Sequence, residues 1–362
     1  MHIAVQSRER VAGGARGAAA RVAIAGATGY TGQELLRLLA RHPGVTIAAA
    51  MSSGAPSATS AASAAPGSSC TSPAPRRLPA LAHIYTGTIT PLDRDALVRE
   101  ADLVFLALPD KAAAELAPAL VEAGVRVIDL SGAFRLRDQA MRARWYPETH
   151  ELPSGLAYGL TELERPAVEA ARLVANPGCY PTATLLPLAP VVAAGLLAPD
   201  TDIIVDAKSG VSGAGKTLSE RTHFSEVHGS VSAYGVFGHR HGAEIEQGVG
   251  RIVNFVPHLM PLDRGILSTI YLRLAPGTTE DTLASVYERA YGGEPFLRLT
   301  GPALPEIKHV AHTNFCDIGW RVDGSGRAVL VSVIDNLLKG ASGQAVQNMN
   351  VMLGLDQATG LL

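Results

Sequence analysis

The stretch from Arg21 to Leu39 constrains the fold more than any other. A short apolar run, Arg21-Val-Ala-Ile-Ala25, leads into Gly26-Ala-Thr-Gly29-Tyr-Thr-Gly32, and Gln33 to Leu39 then repeats with helical period. Strand, glycine turn and helix together open a β-α unit, the setting in which turn amides and a helix N-terminus hold a pyrophosphate. The spacing is G-x-x-G-x-x-G and not the commoner G-x-G-x-x-G, so the information lies in the position of the glycines rather than in their count.

The rhythm continues downstream. Val45 to Met51 reads as a second strand followed by Ser52-Ser53-Gly54, where an NAD-selective site usually places a carboxylate. Two hydroxyls there accept a 2′-phosphate that an acid would repel, which favours NADP. Ala101 to Leu108 runs into Pro109-Asp110, a helix is expected over Lys111 to Glu122, and Val125 to Leu130 and Arg172 to Ala175 supply further strands. Such alternation implies a parallel sheet with helices on it, whose ligand edge receives Pro109-Asp110 and Ser131 to Arg135. From Asp202 onward the pattern changes: strand-like runs at 251–256, 265–274, 315–322 and 328–334 follow one another without regular helices between them. The fold class expected is therefore α/β, a Rossmann-type dinucleotide-binding domain joined to an α+β domain with a mixed or antiparallel sheet. Residues 1–19 read as a disordered extension and 20–176 as the first domain, with a low-complexity loop at 54–80 that includes Cys70. Residues 177–335 form the second domain, and a helical tail within 336–362 returns to complete the first.

The totals exclude several classes. A formal charge of −2 gives no nucleic-acid footprint, and no apolar run reaches the ~18 residues of a membrane helix. Three scattered cysteines make neither a disulfide framework nor a zinc site, so no metal is expected and a reducing cytoplasm fits.

Chemistry concentrates at Asn176-Pro177-Gly178-Cys179-Tyr180-Pro181-Thr182. Pro and Gly force a turn, and the helix-like run from Thr182 presents its first amides to the sulfur. A helix N-terminus favours negative charge, so the thiol is expected to lose its proton more readily than a free cysteine of pKa about 8.5. The alternative, a small buried apolar residue, suits a turn tip poorly. A nucleophilic cysteine works with a base. Of the 11 histidines, His239 and His241 flank Arg240 just before a helical segment, with Tyr234 and Glu244 near enough in sequence to orient one of them. His258 reads as structural. Gly210-Val-Ser-Gly-Ala-Gly-Lys216-Thr217 spells a phosphate loop and raises a nucleotide-triphosphate hydrolase as a rival, but it sits mid-chain behind a complete nucleotide unit.

Taken together the motifs resemble the N-acetyl-gamma-glutamyl-phosphate reductase family of arginine biosynthesis. GATGYTGQELLRLL (26–39), LSGAFRL (130–136), NPGCYPTATLL (176–186), SGVSGAGK (209–216), AYGVFGHRHGAEIEQ (233–247), PHLMPLDRGIL (257–267) and IDNLLKGASGQAVQNMN (334–350) occur in family order. The resemblance implies NADPH-dependent reduction of N-acetylglutamyl phosphate through a thioester on Cys179. It makes His239 the acid/base group and His241 its support. Gly26, Thr28, Gly29, Tyr30, Thr31 and Gly32 would cradle cofactor phosphates, Ser52 and Ser53 would lie near the 2′-phosphate, Pro109 would line the cofactor cleft, and Asn336 would approach the nicotinamide. Ser131, Gly132, Arg135, Ser212 and Gly213 are implied as contacts to substrate or its phosphate. A cytoplasmic homo-oligomer, dimer or tetramer, is expected.

The chain also departs from the pattern. Asp110-Lys111 stands where the family often has His-Gly, and Gly242-Ala243 replaces a proline-containing stretch. Rival readings are aspartate-semialdehyde dehydrogenase, a reductase of carrier-linked acyl phosphates, and a cofactor-sensing binding protein with a dead site.

Overall fold

The computed structural model describes residues 19–52 and 77–362; Ser53, Cys70, residues 1–18 and most of the 54–80 stretch lie outside them. The first sheet has strands β1 (Ala20–Ala25), β2 (Val45–Ser52), β3 (Ile89–Pro91), β4 (Leu103–Leu106), β5 (Arg126–Asp129), β6 (Leu156–Tyr158) and β7 (Leu173–Ala175). They lie in the order β3-β2-β1-β4-β5-β7-β6 and pair in parallel throughout. Because both faces are covered, these strands read as continuous apolar runs.

Helix α1 (Tyr30–Leu39) packs on one face beside α5 (Thr161–Ala170), against Val22, Ile24 and Phe105. On the other face α2 (Arg94–Glu100) and α3 (Asp110–Glu122) set Leu97, Ala113, Ala117 and Leu120 against Ala25, Val104 and Leu106. The short α4 (Gln139–Trp145) follows the Ser131–Arg135 loop. The sheet order reverses at β1/β4, so the turns leaving those two strands border one crevice, where α/β sheets bind ligands.

Strand β7 ends beside α6 (Cys179–Ala193), which starts three residues earlier than its helical pattern suggested and is apolar almost all round. Such a helix belongs in a core. It lies on a second sheet of β8 (Ile204–Gly210), β9 (Ser232–Ala233), β10 (Asn254–Met260), β11 (Ile266–Arg273), β12 (Leu297–Gly301), β13 (Cys316–Val322) and β14 (Arg327–Ile334), in the order β12-β13-β14-β11-β8-β10-β9. This sheet is mixed: β8/β10 and β12/β13 are parallel and the other pairs antiparallel.

The expectation of strands uninterrupted by regular helices is corrected here. Helix α7 (Arg240–Val249), before β10, is the helical segment expected beside His239 and His241, but α8 (Glu280–Tyr291) lies between β11 and β12 where none is expected. The second of these carried a legible start, since Thr279 and Thr282 form a capping box and Leu283, Val286, Tyr287 and Tyr291 make its buried stripe. Helices α6, α7 and α8 cover one face of the sheet. On the other, alternate side chains including Ile204 and Tyr271 remain exposed.

The chain ends by returning to the first sheet. A π-helical turn, Leu338–Ser342, feeds α9 (Gly343–Met352), whose Ala345, Val346 and Met349 are buried with α1 and α5.

Candidate active site

Strand β7 delivers Asn176-Pro177-Gly178, and Cys179 is the first residue of α6. Three contacts fix this turn. Asn176 Nδ2 donates to Ala341 O at 3.1 Å, Asn348 Nδ2 donates to Asn176 Oδ1 at 3.0 Å, and the Gly178 N–H donates to Glu244 Oε1 at 2.8 Å. Glycine is required at 178 because the His241 ring fills the space a Cβ would take, with Nε2 2.5 Å from that position. Gly340, in the π-helical turn, backs the Cys179 side chain.

Cys179 is half-buried. The expectation of an acidified thiol is corrected: burial pushes it up to about 11, although Arg135 and the Tyr180 amide pull it down, and the Glu244 charge adds to the rise. The helix terminus is where the sequence placed it, but packing around the sulfur outweighs its field. The resting group is therefore a thiol that must hand its proton on.

His239 occupies the N-cap of α7, where its Nδ1 accepts the His241 N–H at 3.1 Å. The same bond leaves the proton of the neutral ring on Nε2. Aromatic rings surround it, with centroids of Tyr234 at 5.5 Å, Phe255 at 5.6 Å and Tyr180 at 5.8 Å, and His241 at 4.8 Å. Burial, with Arg240 and Arg221 nearby, lowers His239 to about 4. His241 is buried and held well below the usual histidine range, first by burial and then by His239 and Arg135. Both rings are neutral at pH 7.

Glu244 does not orient the histidine. Besides Gly178 it accepts the Tyr158 hydroxyl at 2.6 Å and faces Arg135 Nη1 at 3.5 Å. Tyr234 touches the His239 ring only through its own ring, and its hydroxyl donates to Tyr180 at 3.2 Å. His239 is set by its own helix.

Arg135 is neither a solvated arginine nor a free anion clamp. It is 7% exposed, donates to the carbonyls of Asn176 at 2.8 Å and Leu130 at 3.0 Å, and pairs with Glu244. Ser131 Oγ donates to Asp129 Oδ2 at 2.7 Å, and burial pushes the Asp129 carboxyl up to about 6. Gly132 N–H donates to Asp110 Oδ1 at 2.7 Å while Arg240 Nη1 reaches Asp110 Oδ2 at 2.6 Å. The departure at Asp110 thus ties the β4 and β5 loops to the histidine helix.

On the cofactor side, Gly26 has φ +94° and a Cβ there would collide with the Ala107 carbonyl, so the turn crosses directly over the end of β4. Thr28 and Gly29 complete the turn, and Tyr30, Thr31 and Gly32 form the first turn of α1, which no side chain caps and no acid neutralises. Uncapped amides beside a close backbone approach fit a dinucleotide pyrophosphate. Ser52 ends β2, buried, and Pro109 is the N-cap of α3. Asn336 is turned inward: Nδ2 donates to Ser212 Oγ at 2.9 Å and Oδ1 accepts Gly265 N–H at 2.8 Å. Ser212 Oγ in turn donates to Asp263 O at 2.6 Å, so this pair holds the Gly210–Gly215 loop, Gly213 included, in place.

One cation escaped the sequence reading. Arg221 lies 4.6 Å above the Tyr234 ring and, among the described residues, has no carboxylate partner. Nothing in the run Glu220-Arg-Thr-His223 signals it, because only the fold brings that loop to Tyr234. Among the described residues no three His, Cys, Asp or Glu side chains group to hold a metal, and no helix is long and apolar enough to cross a membrane.

Comparison with known proteins adds to this geometry. Residues 21–171 match the family model "Semialdehyde dehydrogenase, NAD binding domain" and residues 179–336 match "Semialdehyde dehydrogenase, dimerisation domain". The N-acetyl-gamma-glutamyl-phosphate reductase of Syntrophobacter fumaroxidans is 45% identical over 357 residues, covering 94% of this chain and 97% of that protein. Its namesake in Geobacter metallireducens is 45% identical over 352 residues, with 94% and 97% covered. The chain belongs to the N-acetyl-gamma-glutamyl-phosphate reductase family. It is thereby an oxidoreductase of the semialdehyde dehydrogenase type with a nicotinamide-dinucleotide domain. The fold is shared more widely: aspartate semialdehyde dehydrogenase II of Vibrio cholerae superposes with a TM-score of 0.68 at 18% identity, covering 93% of this chain and 99% of that one. Aspartate semialdehyde dehydrogenase of Candida albicans, solved with NADP, gives 0.64 at 16%, with 93% and 99% covered.

Proposed function

We propose that this member of the N-acetyl-gamma-glutamyl-phosphate reductase family reduces N-acetyl-L-glutamyl 5-phosphate to the 5-semialdehyde, releasing phosphate, with NADPH as reductant. The observation that carries the reading is that Cys179 opens α6 just beyond β7 and that the ring of its neighbour Tyr180 lies 5.8 Å from the neutral His239 ring.

Cys179 attacks the acyl carbon, the carbon–oxygen bond to phosphate breaks, and a thioester remains on the chain. A thioester accepts hydride more readily than a carboxylate, so one difficult reduction becomes two easier steps. The bound dinucleotide supplies that hydride. The oxygen charge then collapses back to a carbonyl and expels the sulfur. His239 trades protons in these steps. The His241 amide holds the resting ring in the Nε2–H form, ready to donate to oxygen that gains charge, and the ring takes up the thiol proton on releasing that amide. Arg135, buried beneath the turn, favours the thiolate as it forms, and Glu244 holds Arg135 there. Arg221, stacked on Tyr234 and without an acidic partner among the described residues, faces the substrate's carboxylate, which lies several bonds from the reacting carbon.

The protein acts as a homo-oligomer, dimer or tetramer, through the uncovered face of the second sheet, with Ile204 and Tyr271 on it. Among the described residues Cys179 and Cys316 are free thiols, which suits the cytoplasm.

The reverse reaction tests the whole reading. Purified protein with N-acetylglutamate semialdehyde, NADP and inorganic phosphate should produce NADPH, and Cys179→Ser should abolish this while leaving NADPH affinity near that of the wild type. Turnover with aspartate semialdehyde instead would move the chain to the neighbouring activity. Silence with both would favour a carrier-linked substrate.

A further inference from the structure

We propose that Lys216, on the second domain, holds the pyrophosphate of the dinucleotide against the glycine turn of the first. This rests on the reading above that the protein binds NADP(H), and assigns a residue to that site.

The lysine that spelled a false phosphate loop in the sequence reaches across the crevice: its Nζ donates to the carbonyl oxygen of Thr28 at 3.3 Å, a residue 188 positions away and inside the glycine turn. The carrier of this lysine is rigid. Asn336 and Asp263 O both engage Ser212 Oγ, Gly265 N–H engages Asn336, and Gly215 adopts φ +82° immediately before Lys216. A loop so held presents Lys216 to one place.

Two described cations near the turn have a carboxylate partner. Arg37 and Arg264 both pair with Glu34 of α1 at 2.6 Å, whereas Lys216 has no carboxylate partner among the described residues. One carbonyl satisfies only one of an ammonium's three donors. A phosphate seated on the uncapped amides of Tyr30 and Thr31 would lie between the helix N-terminus and this ammonium, with positive charge on both sides. The second domain already grips the same element through Arg264 on Glu34. Charge on the turn therefore joins the two sheets. The phosphate in question is that of the dinucleotide and not the one released from substrate, because the contact is to Thr28 and not to the turn bearing Cys179.

NADPH binding to the full-length protein, followed by the cofactor's own fluorescence, tests this with Lys216→Met and Lys216→Arg. An exposed side chain can be changed without loss of folding, which thermal melting would verify. The methionine variant should bind NADPH roughly 10- to 100-fold more weakly, the scale of one charge-assisted contact. Its binding should also depend less on salt, the arginine variant should retain most of the affinity, and the KM for inorganic phosphate in the reverse reaction should not move. Unchanged NADPH affinity in Lys216→Met would overturn the assignment. So would a raised phosphate KM with NADPH affinity intact, which would give the lysine to the transferred phosphate. Failure of the wild type itself to bind NADPH would remove the underlying reading and this one together, and is told apart by needing no variant.

Discussion

The backbone N–H of Gly178 donates to the Glu244 carboxylate at 2.8 Å, one residue before the nucleophilic cysteine. Glu244 is 1% exposed and sits at 3.5 Å from Arg135, so a buried ion pair underlies the turn. Such pairs give little net stability, yet removing one partner strands the other charge. The pair also sets the sulfur between two opposing fields, with Arg135 lowering the Cys179 thiol and Glu244 raising it.

Glu244→Gln keeps an acceptor for Gly178 but removes the negative charge. The midpoint of Cys179 alkylation by iodoacetamide against pH should therefore move down from about 11. Because Arg135 loses its partner, the variant should also unfold with a loss of about 3–5 kcal/mol in urea. A midpoint that stays or rises would contradict the field argument.

His239→Asn separates chemistry from capping. Asparagine caps a helix as well as the residues usually found there, so melting near pH 7 should barely change while turnover falls ~10²–10⁴-fold. The pH dependence of stability follows from the lowered His239 value. Folded at about 4 against an ordinary 6.5, the ring contributes stability that is fully present above about 6.5 and is lost as pH falls towards 4. In the asparagine variant the drop in melting temperature between those limits should be smaller. An identical drop would show that His239 titrates normally.

Arg221→Ala should raise the KM for N-acetylglutamate semialdehyde about tenfold, the low end of a charge-assisted contact, with the KM for phosphate unchanged. A rise for phosphate alone would place the arginine at the other end of the substrate.

Sequence by itself determined the local devices. The glycine turn, helix α1, the cysteine at a helix start and the His239–His241 pair each depend on neighbours a few residues away, through φ constraints, helical period and capping, and such signals survive in one dimension. The Thr279 cap of α8 is an equally local device, set among runs with strand pattern. Tertiary structure alone decided the electrostatics. Arg135 and Glu244 meet only when the β5 loop packs under α7, and Lys216 meets Thr28 only when the two sheets close on each other. The thiol's rise belongs here too: a helix N-terminus can be read from letters, but the burial that overrides it depends on how Gly340 and the rest of the fold pack against Cys179. Charge is a property of a residue; the cost of burying it is a property of the fold.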